Sequence, residues 1–325
     1  MSSNDIILIG VGNIGKRTLQ SLLHLRHTVN IFVIEPENAA RTEAMARAAE
    51  VPSGLDRHDI TFVDGAESLP SHARLAIVAT ASGPRYAALS ALFRNCRVEN
   101  IVLEKFLFQE KWHYDSVRRH LEKENIRCWV NCPRPVWPGY QWMHQRVAGM
   151  RDSTMAVSGG RWNMASNAIH MLDCFSRVSN ESIISVDGTG LGGTPLANKR
   201  SGYMEVSGRI EARGRNNGRV ILECSDEPDS PLTIEWATRD GRYEIREQEQ
   251  RVLFQSTNPG LDPTDQPFPV LMASELTQVY QDIMDNGDCG LTRYNDSSAL
   301  HLMLIDVFND VFYPNSPEAN PCPVT

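Results

Sequence analysis

Residues 6–15 read IILIGVGNIG, a short unbroken apolar run that ends in three glycines spaced Gly10-x-Gly12-x-x-Gly15. In such a pattern the first glycine permits a tight turn, the second lets an anion approach bare backbone, and the third lets a following helix pack closely. The helix N-terminus then faces a pyrophosphate. Glycine clusters alone mark turns; the strand-turn-helix setting makes Gly10, Gly12, Asn13, Ile14 and Gly15 a candidate dinucleotide cradle. Glu35 ends the next apolar run about twenty residues further on, where a carboxylate can accept hydrogen bonds from both adenosine ribose hydroxyls and repels a 2′-phosphate. This favours NAD, while Arg41 nearby keeps NADP open. The alternative for Glu35 is a helix-start carboxylate beside Pro36.

Two later segments complete the set of reactive side chains. Thr80-Ala81-Ser82 follows a fourth apolar run, and Thr80 and Ser82 are small enough for a ribose and nicotinamide to lie against the backbone. Glu104-Lys105 follows a fifth, and a desolvated lysine there could handle a proton near neutral pH. Lys105 has an equal alternative as a structural ion pair with Glu104 or a solvated helix-start residue. Further on, a helix over 163–177 would place Asn163, Ser166, Asn167, His170 and Asp173 or Cys174 on one face. A stripe of Asn and His, rather than Lys and Glu, needs hydrogen-bonding partners that a polyhydroxylated ligand offers. A capped helix start and a satisfied core histidine are the plainer alternative.

The elements that must position these residues alternate in type over the first 131 positions. Strands are expected at 6–9, 29–34, 60–63, 75–79, 100–103 and 128–131. Helices follow Gly12 as far as His27 and cover 39–49, 84–94 and 112–124. Strands alternating with helices imply right-handed crossovers and a doubly wound parallel sheet, an α/β Rossmann domain over 1–131, whose ligands bind beyond the strand ends. Residues 132–312 read as an α+β domain with an open, mainly antiparallel sheet. Alternating runs around Val206, Leu222, Ile234 and Tyr243 are separated by turn signals at Asn217-Gly218, Asp229-Ser230-Pro231 and Asp240-Gly241. The Gly188–Gly193 stretch reads as a flexible loop. Trp137, Tyr140 and Trp142 read as aromatics that brace the domain junction, with stacking on a ligand ring as the alternative. Helices over 270–284 and 295–312 are expected to pack back and close the chain before an irregular tail, 313–325.

Length and composition bound the function. The chain has 325 residues, enough for two domains, and 32 basic against 40 acidic residues, which argues against nucleic acid or an anionic membrane as partner. Seven scattered cysteines suit free thiols in a reducing cytoplasm and form no zinc pattern. The absence of a signal-like start or a long apolar stretch supports a cytoplasmic expectation.

Assembled, these motifs resemble the glucose-fructose oxidoreductase/inositol dehydrogenase family, called Gfo/Idh/MocA. The likeness rests on GVGNIG with Glu35, IVLEK at the fifth strand, GGRWNMASNAIHMLD at the start of the second domain, and LTRYNDSSALHLMLIDVF near the end. It implies an NAD(P)-dependent enzyme that oxidises or reduces a hydroxyl or carbonyl carbon of a sugar, nucleotide sugar or polyol. The family's E-K-P lysine and D-x-x-x-H histidine would fall on Lys105 and His170 as the catalytic pair, with Arg134, Trp162, Asn163, Asn167 and Asp173 as candidates for holding the substrate. A homodimer or homotetramer through the C-terminal sheet is also implied. The chain departs from the pattern at Phe106, Arg85 and Ser166, where the family has proline, often histidine, and aspartate; Asn167 is a candidate to compensate for the missing carboxylate. Those departures keep open a non-catalytic sensor of NAD(P) and sugar. A sugar enzyme without net redox is the third reading.

Overall fold

A computed structural model describes residues 4–227, 230–316, 318 and 320–325. The chain forms two compact units, the first of residues up to Phe108 with Trp112–Asn131 and Leu271–Tyr294, the second of Gln109–Lys111, Cys132–Val270 and Asn295 onward.

In the first unit β1 (Asp5–Ile9), α1 (Asn13–Leu22), β2 (Asn30–Ile34), α2 (Asn38–Ala48), α3 (Pro52–Leu55), β3 (Asp59–Val63), β4 (His72–Val78), α4 (Ser82–Asn95), β5 (Arg97–Leu103), α5 (Lys111–Glu124) and β6 (Arg127–Val130) follow one another. The six strands pair in parallel in the order β6-β5-β4-β1-β2-β3, the doubly wound sheet expected. Ile6, Ile7, Leu8, Leu75, Ala76, Ile101 and Val102 are all fully buried, because a sheet covered on both faces needs apolar side chains in both directions. Helix α1 stops at Leu22, short of the expected His27, where Leu25 N–H turns back onto Leu22 C=O at 3.0 Å.

The second unit carries α6 (Pro138–Val147), β7 (Thr154–Gly160), α7 (Met164–Ser179), β8 (Ile183–Leu191), β9 (Leu196–Ala197), β10 (Met204–Glu205), β11 (Gly208–Gly214), β12 (Arg219–Ser225), β13 (Thr233–Thr238), β14 (Gly241–Arg246), β15 (Arg251–Ser256) and β16 (Thr264–Pro267). Eight of its strands form one sheet in the order β16-β15-β14-β13-β7-β12-β11-β8, antiparallel except at β7–β12. Sequence pattern did not single out β7, which enters between the hairpins. The reading of Gly188–Gly193 as a loop is corrected: most of it belongs to β8. A Cβ at Gly188 would stand 2.2 Å from Val307 Cγ1 and one at Gly190 3.0 Å from Arg209 Cβ, so these glycines admit close neighbours. The proposed turn at Asp229 lies outside the described residues, while Asn217 and Gly241 occupy their turns with positive φ. Phe175 on α7 stacks on Trp236 at 5.3 Å, fastening that helix to the sheet.

The chain continues with α8 (Thr277–Asn286), β17 (Thr292–Arg293) and α9 (Tyr294–Phe312). Residues 271–294, read from sequence as part of the second domain, cluster instead with the first. Thr277 Oγ1 donates to Ser21 C=O at 2.9 Å, Arg26 N–H donates to Gln281 Oε1 at 2.9 Å, and β17 pairs antiparallel with β6. The irregular tail is anchored within the second unit: Cys322 N–H donates to Gln109 C=O at 2.8 Å and Met204 N–H to Pro323 C=O at 2.7 Å. No helix among the described residues is long and apolar enough to cross a membrane.

His58 gives the first unit an acid-side weakness. It is 3% exposed, its Nδ1 accepts the Val29 N–H at 3.3 Å, and burial, reinforced by the neighbouring Arg57 charge, holds the imidazole below its ordinary value. A folded-state value below the unfolded one means the unfolded chain binds the proton more readily. The stabilisation is therefore complete above the ordinary histidine range and is lost as pH falls through it. His58→Gln, which keeps an acceptor for Val29, should show a smaller fall in Tm between about pH 7.5 and about pH 5.5 than the wild type. Equal falls in scanning calorimetry would place the acid sensitivity elsewhere.

Candidate functional site

In the first unit the glycine turn and the end of β2 are tied together. Gly10 N–H donates to Ile34 C=O at 2.9 Å, and Val11 N–H donates to Glu35 Oε2 at 3.0 Å. Glu35 is 9% exposed, and its Oε1 accepts the Glu37 N–H at 3.1 Å. Each carboxylate oxygen has two lone pairs, so both retain acceptor capacity beyond these bonds. Arg41 donates to Glu35 C=O and ion-pairs with Asp64, a local anchor from β2 to the end of β3.

The three glycines differ in what they permit. Gly10 has φ +86°, a conformation that favours glycine. A Cβ on Gly15 would lie 2.0 Å from Gly10 oxygen, so only glycine lets α1 start so close to the turn. A Cβ on Gly12 would meet nothing within 4 Å, and this residue is exposed, as are Asn13 and Ile14. No side chain caps α1, whose ladder begins with Lys16 N–H on Gly12 C=O at 2.9 Å. An open backbone approach ending on an uncapped helix N-terminus fits a dinucleotide pyrophosphate.

Beyond β4, the Thr80 Oγ1 atom is buried without a hydrogen-bond partner among the described residues, and Ser82 is buried at the first position of α4. Beyond β5, Glu104 is 6% exposed and accepts from Asn131 Nδ2. Burial pushes its carboxyl up, against the Asn131 bond and the charges of Arg85 and Lys105, which favour ionisation. Lys105 is half-buried and is followed by a cis peptide bond to Phe106. Arg85, noted in the sequence only as a departure, is fully buried and donates to the carbonyls of Thr80, Phe106 and Leu107.

In the second unit α7 presents His170, half-buried, one turn after Ser166. Asn163 precedes the helix in the left-handed region and makes no side-chain cap. The acceptor comes instead from Glu205 on β10, which is 4% exposed. Its Oε2 accepts the Ser166 N–H at 3.3 Å and its Oε1 accepts the Ser166 hydroxyl and Asn198 Nδ2, the latter at 2.7 Å. Burial raises the Glu205 carboxyl and these bonds oppose the rise. Asn167 Nδ2 donates to Trp162 C=O at 2.8 Å, and a carboxylate stands beside Ser166, supplied from 39 residues downstream. Glu205, Arg161, Asn163, Leu196, Ala197, Val206 and Cys224 line a cavity of about 230 Å³.

Two expected substrate contacts are corrected. Arg134 forms a two-pronged ion pair with Glu247, at 2.7 and 2.8 Å, while Tyr140 OH donates to the same carboxylate at 2.6 Å. The fork geometry of the guanidinium makes this a structural clamp. Asp173 is 0% exposed, on the covered side of α7 beside Cys174, rather than on an open polar stripe. Of the remaining set, Trp162 is half-exposed with its indole N–H on Glu223 C=O at 2.8 Å, and Asn163 is exposed. Tyr140 packs edge-on to Phe268 in the second unit's interior, and half-buried Trp142 packs against Arg146 and Tyr243. Sequence reasoning passed over Glu205, Glu247 and Asn198, for which no local spacing offered a signal.

No protein-family model matches the sequence, and no curated protein matches it. Solved structures do match in fold. UDP-N-acetylglucosamine 3-dehydrogenase GnnA from Acidithiobacillus ferrooxidans is 12% identical with a TM-score of 0.71 over 93% of this chain and 96% of its own. An oxidoreductase from Agrobacterium radiobacter, solved with NAD+, L-tartaric acid and magnesium, is 12% identical with a TM-score of 0.68 over 96% and 97%. The transcriptional regulator Gal80p from Kluyveromyces lactis is 12% identical with a TM-score of 0.71 over 96% and 90%. The chain thus has the fold that the Gfo/Idh/MocA resemblance implied, and this fold occurs in a dehydrogenase, an oxidoreductase and a transcriptional regulator.

Proposed function

We propose that the chain is an NAD(P)-dependent oxidoreductase acting on a hydroxyl or carbonyl carbon of a sugar, nucleotide sugar or polyol. The observation that carries this reading is the turn of Gly10, Gly12 and Gly15, whose Val11 N–H donates to Glu35, with an open backbone approach at Gly12. When bound, a nicotinamide cofactor supplies the hydride acceptor or donor. Glu35 accepts the adenosine ribose hydroxyls with its spare lone pairs, the first turn of α1 donates to the pyrophosphate, and Thr80 Oγ1 offers a hydroxyl at the end of β4. Lys105 holds a cation that lowers the pKa of a substrate hydroxyl, and His170 takes the proton at a ring nitrogen. Trp162, Asn163 and Asn167 are the polar contacts for the substrate. A dehydrogenase of the same fold, named for a UDP-sugar, and an oxidoreductase solved with NAD+ support this reading.

The test is NADH fluorescence or its appearance during incubation with a panel of sugars, polyols and nucleotide sugars. Net conversion with any member supports a redox enzyme. A chain that binds NADH and a sugar yet converts none is the sensor reading, favoured by Phe106 and Ser166 and by the regulator of the same fold.

Glu35→Gln keeps the shape of the side chain and removes its charge. It should weaken NADH binding by about tenfold, the scale of charged over neutral hydrogen bonds, and raise the NADPH-to-NADH affinity ratio by relieving repulsion of the 2′-phosphate. Fluorescence titration with both cofactors measures this. An unchanged ratio would remove Glu35 from the ribose site.

A further inference from the structure

Burying a guanidinium is costly unless its donors are used, and Arg85 is 0% exposed on the first turns of α4. Its Nη1 donates to Phe106 C=O and, at 2.8 Å, to Leu107 C=O, while its Nη2 donates to Thr80 C=O. Glu104 N–H still donates to Val78 C=O at 3.0 Å, at the end of the β4–β5 pairing, and residues 105–107 beyond it belong to no helix or strand. Glu104, Phe106, Leu107 and Phe108 all turn into the interior, and Lys105 alone among 104–108 stays partly exposed. One buried cation therefore ties the end of β4 to the two carbonyls that directly follow the lysine.

We propose that Arg85 is a positioning residue: it fixes the backbone from which Lys105 projects, and so sets the presentation of the Lys105 ammonium. The inference rests on the reading of Lys105 as the group that acts on the substrate hydroxyl. Lysine is not an equivalent substitute at position 85, because a point-charge ammonium cannot reproduce the planar fork that spans three carbonyls.

A double-mutant cycle in the full chain tests it. Arg85→Lys should lower kcat by about 10–100-fold with KM and NADH affinity within about threefold of wild type, the pattern of a misplaced group rather than a lost binding contact. In a Lys105→Met background the same substitution should change kcat by no more than about twofold, since the group it positions is gone. A second readout uses neither cofactor nor turnover: the rate at which an N-hydroxysuccinimide ester acylates Lys105, followed by peptide mass spectrometry. That rate should change by about fivefold or more in Arg85→Lys, with Lys16 and Lys199 unchanged. Arg85→Gln, which keeps two donors, carries both measurements if Arg85→Lys does not fold. Wild-type kcat with unchanged Lys105 acylation overturns the proposal, and so does an equal loss with and without Lys105. Lys105→Met at wild-type turnover would instead sink the assignment of Lys105, while acylation still decides whether Arg85 sets its presentation.

Discussion

Lys105→Met should turn over substrate about 10²–10⁴-fold more slowly than wild type, the range lost with a proton-handling group, while binding NADH almost as well. Methionine preserves the length and apolar stem of lysine and removes only its charge and donors. The half-buried stem keeps its packing, and the cradle of Gly10, Gly12, Gly15 and Glu35, on other strand ends, is untouched. His170→Ala should fall in the same range, because a general base supplies a comparable factor. Stopped-flow or steady-state kinetics on the substrate found in the panel, beside NADH titration, separates binding from chemistry. Normal turnover in either variant would remove that residue from the reaction.

Gly15→Ala should abolish measurable NADH binding and lower Tm by several degrees, the consequence of about 1–3 kcal/mol of overpacking in a tight site. The methyl would stand 2.0 Å from Gly10 oxygen and 2.9 Å from Gly10 carbonyl carbon, and both are backbone atoms that cannot rotate aside. Relief requires α1 to lift off the turn, which removes its N-terminus from the anion. Gly12→Ala is the informative partner. Its methyl meets nothing within 4 Å, so Tm should hold while NADH affinity falls, because the methyl occupies the space left for the pyrophosphate. A Gly12→Ala protein that keeps both wild-type Tm and wild-type affinity would show that the dinucleotide does not lie there.

The contrast between these variants reflects how much of the site could be read from local sequence. A strand, a turn and a helix start are contiguous, so the glycine spacing and the apolar run before it identify the β1–α1 turn without knowledge of distant residues. Glu35 is legible for the same reason: β1 and β2 are parallel neighbours in register, Ile9 opposite Ile34, which brings the next residue to the turn. The helix bearing His170 is likewise announced by its own composition.

Where the reading failed, the partner was chosen by tertiary placement. Arg134 looked available for a ligand until β14 ended near it and brought Glu247, 113 residues away in sequence, to its guanidinium. The carboxylate beside Ser166 comes from Glu205, whose position depends on the short pairing of β10 with β9. Arg85 reads as an odd residue in a helix; only the path of residues 104–107 shows which carbonyls it serves. Residues 271–294 join the first unit because the apolar face of α8, with Val279, Tyr280, Ile283 and Met284, needs burial that periodicity cannot assign to one unit or the other. Sequence by itself determined the doubly wound sheet, the open antiparallel sheet and the glycine turn that opens α1, because each follows from short-range periodicity or from backbone conformations that only glycine allows. Tertiary structure decided which charged and polar groups remain available for chemistry. Whether a buried Arg, Asp or Glu is already satisfied depends on neighbours that sequence spacing does not encode.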